Sequence, residues 1–151
     1  MAKILSLLRQ RRKRIVFTNG CFDILHPGHI KYLKSARSFG DLLVIGLNSD
    51  RSVKLIKGRS RPLNKEADRA LILASLYFVD YVTIFNESTP QKLIKKLKPD
   101  ILVKGGDWSV KNIVGADFVK SRGGRIVSIP FIEGYSTTSL IKKARGKQRR
   151  T

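Results

Sequence analysis

Short apolar runs alternate with helix-like patterns along nearly the whole chain, and this alternation restricts the fold more than any other feature. The run at 42–47, LLVIGL, is continuously apolar, as expected of a strand that is buried on both faces. Further strands are predicted at 15–18, 81–85, 101–103 and 125–129. Strands separated by helices in this order predict an α/β fold, a Rossmann-like doubly wound parallel sheet of about five strands.

Helical patterns fill the intervals between the predicted strands. Their periodicity, caps and stops predict helices at 2 to about 12, 29–39, 64–77, 89–97, 113–122 and 136–145. Asn64 is the predicted N-cap of the third of these helices, and Pro90 is predicted at the first position of the fourth. The segment 49–61 is polar and basic and contains Gly58, so it is predicted to be a loop.

The 151 residues show neither a repeat nor an interdomain linker, so we expect one domain over 1–151. No apolar run approaches the ~20 residues that span a membrane, and 1–8 is too short for a signal peptide. The single cysteine, Cys21, excludes an internal disulfide and suits the reducing cytoplasm. These features predict a cytoplasmic protein without a membrane partner.

The formal net charge of +20 is extreme, and basic residues concentrate in 1–14 and 142–151. Such charge suits nucleic acid, an acidic membrane surface or a polyanionic small substrate. No zinc spacing, stacking motif or recognition helix accompanies the charge, so no specific nucleic-acid partner is expected. We predict a basic helix within 1–14 and a disordered basic tail at 146–151, because the tail lacks apolar periodicity.

The segment 19–29, NGCFDILHPGH, joins the first predicted strand to the first core helix and is the strongest functional signal. Its glycines permit a tight turn, and His26 and His29 are three residues apart at the helix start, where they share a face. Unpaired backbone N–H groups at a helix start attract phosphate. We therefore predict a phosphate pocket with two imidazole donors; the competing interpretation is one capping and one core histidine.

Two later segments follow strand ends that would face the same pocket. The first, 104–108 (KGGDW), has glycines for close approach, Asp107 for ribose hydroxyls and Trp108 as an apolar wall. The second, 133–138 (EGYSTT), places three hydroxyls at a predicted helix start, where they can cap the helix and donate to phosphate.

The pattern G-x-F-D-x-x-H-x-G-H resembles the signature of the cytidylyltransferase-like nucleotidyltransferases, and the resemblance covers nearly all of 15–143. It implies that His26 and His29 stabilise the charge on an α-phosphate while pyrophosphate leaves, and that Lys57, with Lys54 in reserve, acts on the phosphates. It also implies a substrate or phosphate contact for Arg69 and for Asn48. The implied nucleotide-binding residues are Gly20, Cys21, Phe22, Asp23, Gly28, Lys104, Gly105, Asp107, Trp108, Tyr135, Ser136, Thr137 and Thr138.

Taken together, the three segments most resemble the heptose 1-phosphate adenylyltransferases of bacterial lipopolysaccharide synthesis. That resemblance implies ATP and a sugar 1-phosphate as substrates, and it leaves a homodimer open. Only Asp23 is an obvious acid near the turn, so Mg²⁺ is expected to arrive on ATP, with no metal site on the protein. The segment 131–135, FIEGY, lacks the arginine of related cytidylyltransferases. A glycerol-3-phosphate cytidylyltransferase, an FAD synthase, a non-catalytic nucleotide sensor and a nucleic-acid-binding module remain as alternatives.

Overall fold

The computed structural model describes residues 1–106, 112–130 and 134–147, and its centre is a five-stranded sheet. The strands are β1 (Ile15–Gly20), β2 (Leu42–Asn48), β3 (Tyr81–Phe85), β4 (Ile101–Gly105) and β5 (Arg125–Ile129). All neighbouring pairs are parallel, in the order β3-β2-β1-β4-β5. The predicted doubly wound sheet is confirmed, and its order reverses between β1 and β4, where such folds bind ligands.

Seven helices connect or flank the strands in the part of the chain that the structure describes. They are α1 (Ala2–Gln10), α2 (Pro27–Arg37), α3 (Asp50–Lys57), α4 (Glu66–Ala74), α5 (Gln91–Leu97), α6 (Ala116–Ser121) and α7 (Thr137–Lys147). None of these described helices is long and apolar enough to cross a bilayer. Helix α7 continues through Lys147, and 148–151 lie outside the described residues, so disorder of the tail stays a prediction.

Alternate residues of β1 supply two separate apolar clusters, one on each face of the sheet. Val16 packs in the cluster that α2 and α4 cover, with Leu33 and Leu73 among its members. Ile15 and Phe17 belong to the cluster that α1, α5 and α6 cover. Because successive side chains of a strand face opposite sides, a central strand buried on both faces must be apolar throughout, as the run at 15–17 is.

The predicted loop at 49–61 is wrong in its first part, because Asp50–Lys57 forms helix α3. The side chain of Ser49 caps this helix by accepting from the backbone N–H of Ser52 at 3.2 Å, and Asp50 stands in the first turn. Only Ser52 and Val53 of α3 are buried. The helix is short and lies in a polar, basic segment that contains Gly58, which is why the sequence indicated a loop.

The predicted N-cap of the next helix is also wrong. Lys65 occupies the N-cap position of α4 without a side-chain hydrogen bond. Asn64 instead donates from its Nδ2 to the carbonyl oxygen of Asp23 at 2.6 Å. A contact with a residue distant in sequence thus takes the amide that a local cap would have used, and α4 starts one residue later.

Two leucines of α4 provide a matched test of this packing. Leu73 is fully buried in the core, whereas Leu71 is 68% exposed. Leu73→Ala should lower the free energy of unfolding by about 2–5 kcal/mol through lost burial and a residual cavity. Leu71→Ala should change it by less than about 0.5 kcal/mol. Urea unfolding of both variants measures this, and equal losses would contradict the described orientation of α4.

Candidate active site

The start of α2 carries both histidines. His26 occupies the N-cap position in an extended conformation, and Pro27 provides the first helical residue. The Nδ1 atom of His26 accepts from the backbone N–H of His29 at 3.3 Å. An accepting Nδ1 leaves the proton of a neutral imidazole on Nε2, which is then available as a donor to a ligand.

The two imidazole rings lie against each other. Their centroids are 3.8 Å apart with an interplanar angle of 22°. Tyr135 lies parallel to His26 with a centroid distance of 6.3 Å, and Phe22 meets His29 edge-on at 5.3 Å. Aromatic rings on both sides therefore fix the imidazole planes before any ligand binds.

The pair is uncharged at neutral pH in the ligand-free protein. Burial lowers the pKa of His29 to about 4, with further lowering by His26 and by the ammonium of Lys57. Burial also lowers the pKa of His26. An anion placed beside the rings would favour their protonated forms and raise both pKa values.

Helix α7 brings a second helix start to the same place. Ser136 caps it, because its Oγ accepts from the backbone N–H of Ser139 at 3.0 Å. The turn before α7 approaches α2 so closely that a Cβ on Gly28 would lie 3.1 Å from Cβ of Tyr135. Glycine at position 28 thus permits two helix starts, each a favourable site for phosphate, to converge.

A cavity of about 900 Å³ opens between these helix starts and the carboxyl ends of β1 and β4. It brings together most of the predicted site residues, namely Gly20, Cys21, Phe22, Asp23, His26, Gly28, His29, Lys57, Lys104, Gly105, Tyr135, Ser136, Thr137 and Thr138. Asp107 and Trp108 lie outside the described residues. Volume and donors suit an anionic ligand such as a nucleoside triphosphate.

Arg69 and Asn48 are not among the residues that line the cavity. Arg69 is only 1% exposed, and its guanidinium donates to the carbonyl oxygens of Cys21, Asn48 and Asn64 and to the carboxylate of Asp50. The amide of Asn48 donates to Oγ of Ser52 at 2.9 Å. Both side chains tie the ends of β1 and β2 to α3 and α4, and their substrate contacts remain predictions.

Asp23 fastens the loop between α3 and α4 to the turn after β1. It is 3% exposed, and its Oδ1 accepts from the backbone N–H groups of Leu63 and Asn64 at 2.8 and 3.0 Å. Its Oδ2 accepts from Nε of Arg61 at 2.6 Å. Both carboxylate oxygens are therefore occupied by the protein, which leaves Asp23 poorly suited as a metal ligand.

The sequence analysis missed one wall of the cavity. Lys31, Tyr32 and Ser35 lie on α2 and line the cavity with Gly28, and their spacing places them on the helix face that the motif begins. Their helical spacing from the motif could have predicted this wall from the sequence. Asn19, Ile129 and Pro130 also line the cavity, at the ends of β1 and β5.

A family model described as cytidylyltransferase-like matches residues 17–143. The chain belongs to the cytidylyltransferase-like family. It is 56% identical over 145 residues to the bifunctional protein HldE of Geotalea uraniireducens, covering 96% of this chain and 30% of that protein. It is 57% identical over 146 residues to HldE of Campylobacter jejuni serotype O:2, and the match covers 97% of this chain and 31% of that protein. The chain thus spans about 30% of the length of these curated relatives.

Two solved structures share this fold. A lipopolysaccharide core biosynthesis protein from Thermoplasma volcanium matches with a TM-score of 0.63 and 29% identity, over 82% of this chain and 99% of that chain. A pantoate-beta-alanine ligase from Francisella tularensis matches with a TM-score of 0.59 and 17% identity, over 95% of this chain and 75% of that chain. The second likeness shows the shared fold alone.

The lowered pKa of His29 predicts a pH dependence of stability. The unfolded chain takes up a proton near the ordinary pKa of 6.5, whereas the folded protein does so only near about 4. Between these values the unfolded state binds more protons, so the free energy of unfolding should fall as pH falls, and this contribution should level off below the lower value.

Urea unfolding across this pH range should show a steeper fall for the wild type than for His29→Gln. Because the same carboxylates titrate in both proteins, their contribution to the pH dependence cancels in the difference between the two free energies of unfolding. An NMR titration of the ligand-free wild type gives the imidazole pKa directly, and a value for His29 at or above 6.5 would contradict the described burial.

Proposed function

We propose that the chain transfers AMP from ATP to D-glycero-β-D-manno-heptose 1-phosphate, giving ADP-heptose and pyrophosphate. The observation that carries this proposal is the stacked pair His26 and His29 facing the start of α7 within one cavity. The identity of 56% to the HldE of Geotalea uraniireducens supports the choice of acceptor. The proposed setting is the cytoplasm, where ATP is available.

The proposed step is a direct displacement. A phosphate oxygen of the sugar attacks the α-phosphorus, the bond from that phosphorus to the bridging oxygen breaks, and pyrophosphate departs with the electron pair. Such transfers depend on positioned positive donors more than on a covalent nucleophile. In this proposal His26 and His29 donate to the α-phosphate oxygens, and no enzyme intermediate forms.

The departing pyrophosphate needs its own donors. We propose that the backbone N–H groups at the start of α7 and the hydroxyls of Ser136, Thr137 and Thr138, which line the cavity, hold it. Lys57, the last residue of α3, lines the same cavity and adds a positive charge. In this proposal the nucleoside lies toward β4, near Gly105.

Mg²⁺ is proposed to enter with ATP. Among the described residues, no group of three His, Cys, Asp or Glu side chains could hold a metal ion, and Asp23 is occupied by Arg61 and two amides. A Mg²⁺ ion held by phosphate oxygens and water would need no such group, and it would offset part of the negative charge on the triphosphate. A homodimer remains a prediction.

Removal of either imidazole should abolish most of the activity. His26→Ala and His29→Ala should each lower kcat by about 10²-fold or more, as expected when one donor to a developing charge is lost. Pyrophosphate release from ATP and heptose 1-phosphate measures this. Lys34→Ala, an exposed change on the same helix, is the control, and wild-type turnover in both histidine variants would refute their assignment.

The nucleotide preference separates this proposal from a cytidylyltransferase. We expect ATP to be preferred over CTP by at least ~10-fold in kcat/KM, a difference of only ~1.4 kcal/mol in the transition state. The motivation is the segment 131–135, which lacks the arginine of related cytidylyltransferases. Pyrophosphate release with each nucleotide at equal Mg²⁺ decides it, and equal rates or faster use of CTP would exclude the adenylyl-transfer proposal.

A further inference from the structure

Lys104 stands out among the cations of the cavity because it is half-buried at the end of a central strand. It is the penultimate residue of β4, and its side chain lines the cavity. Its Nζ donates to Oδ1 of Asn19, at the neighbouring end of β1, over 3.2 Å. None of the ion pairs within the described residues includes Lys104.

Within the described residues, the ammonium contacts a single acceptor. An ammonium has three donors, and the structure gives Lys104 one neutral acceptor for them. Burial lowers the pKa of Lys104, which shows that the surroundings disfavour the charge. An anion entering the cavity would supply the missing acceptors and restore a favourable environment for the ammonium.

Other residues of the cavity already provide donors for the triphosphate. His26 lies against Tyr135, next to the start of α7, where the proposed leaving group is held. Lys104 stands instead on β4, and its ammonium contacts Asn19 of β1. Lys104 therefore belongs to the strand ends and not to either helix start.

In-line displacement requires the attacking oxygen and the leaving oxygen to lie on opposite sides of the α-phosphorus. With the leaving group at α7, the attacking phosphate must come from the side of the cavity away from that helix. Asn19 and Lys104 line the cavity at the ends of β1 and β4, on strands and not at either helix start, and they are our candidates for receiving it.

We infer that Lys104 and Asn19 form the subsite for the phosphate monoester of the acceptor. Lys104 would bind the non-attacking oxygens of that phosphate, in place of the nucleotide contact that the sequence resemblance implies for it. Asn19 holds the ammonium in place without neutralising it. The inference rests on the proposed adenylyl transfer and deepens it. It also explains why a lysine occupies a half-buried strand position in the absence of an ion-pair partner within the described residues.

Steady-state kinetics with Lys104→Met, which keeps the length of the side chain and removes its charge, is the first test. The KM for heptose 1-phosphate should rise by about 10- to 100-fold, the range expected for a lost hydrogen bond to a charged group, while the KM for ATP changes little. Lys34→Met, at an exposed position of α2 outside the cavity lining, is the matched control and should behave as wild type.

Asn19→Asp provides an independent variant of nearly the same shape. A carboxylate at this position would pair with Lys104 and repel the acceptor phosphate, so the KM for heptose 1-phosphate should rise here as well. A rise in the KM for ATP with an unchanged KM for the acceptor in Lys104→Met would overturn the inference and make Lys104 a nucleotide ligand. Unchanged values for both substrates would overturn it too.

Binding without turnover separates this inference from the proposed function. Calorimetric titration with inorganic phosphate, at saturating non-hydrolysable ATP analogue, should show binding to wild type and to Lys34→Met that is at least about 10-fold weaker in Lys104→Met. If the wild type turns over no heptose 1-phosphate but this difference persists, the proposed function fails and the subsite stands. Equal phosphate binding in wild type and Lys104→Met would overturn the subsite, whatever the turnover.

Discussion

The buried carboxylate of Asp23 joins the two chain segments on which the site depends. It accepts from Arg61 and from two backbone N–H groups of the loop that leads into α4. Because a buried carboxylate is unfavourable without such partners, the turn after β1 and this loop can take up only one relative position. That position sets the frame for Lys57, at the end of α3, and for the histidines at the start of α2.

Arg69 extends this network beneath the cavity. Its guanidinium reaches the carbonyl oxygens of Cys21 and Asn48, which belong to the ends of β1 and β2. Carbonyl groups at strand ends have no further ladder partners, so a buried donor with a rigid fork is well suited to them. The cation therefore stabilises the floor of the site, and the cations that face the cavity are Lys31, Lys57 and Lys104.

The topology of the sheet explains where the donors of the cavity lie. Reversal of strand order between β1 and β4 opens a crevice at their carboxyl ends, and helices α2 and α7 both begin there. Two helix starts and two neutral imidazoles add donors for a polyphosphate to the lysines that line the cavity. Negative charge on the ligand would then draw protons onto the imidazoles.

The local sequence pattern predicted an element correctly where the residues of that segment themselves indicate how it is buried. The apolar runs predicted all five strands, and most clearly β1 and β2, because a strand buried on both faces must be apolar. The segment 19–29 predicted the histidine pair through its helical spacing. Local pattern failed at α3, where only Ser52 and Val53 are buried, and at Asn64, whose amide is taken by Asp23. The sequence also could not show that the guanidinium of Arg69 is buried and donates to carbonyl oxygens at the strand ends.

The sequence by itself determined the parallel sheet, the motif that positions His26 and His29, and membership of the cytidylyltransferase-like family. Only the tertiary structure decided which polar side chains serve the scaffold and which face the cavity. Internal hydrogen bonds occupy the side chains of Asp23 and Arg69, whereas the ammonium of Lys104 contacts one neutral acceptor within the described residues. The physical reason is that a polar group's role depends on the partners that folding brings to it, and those partners lie as far as 85 residues away in the chain.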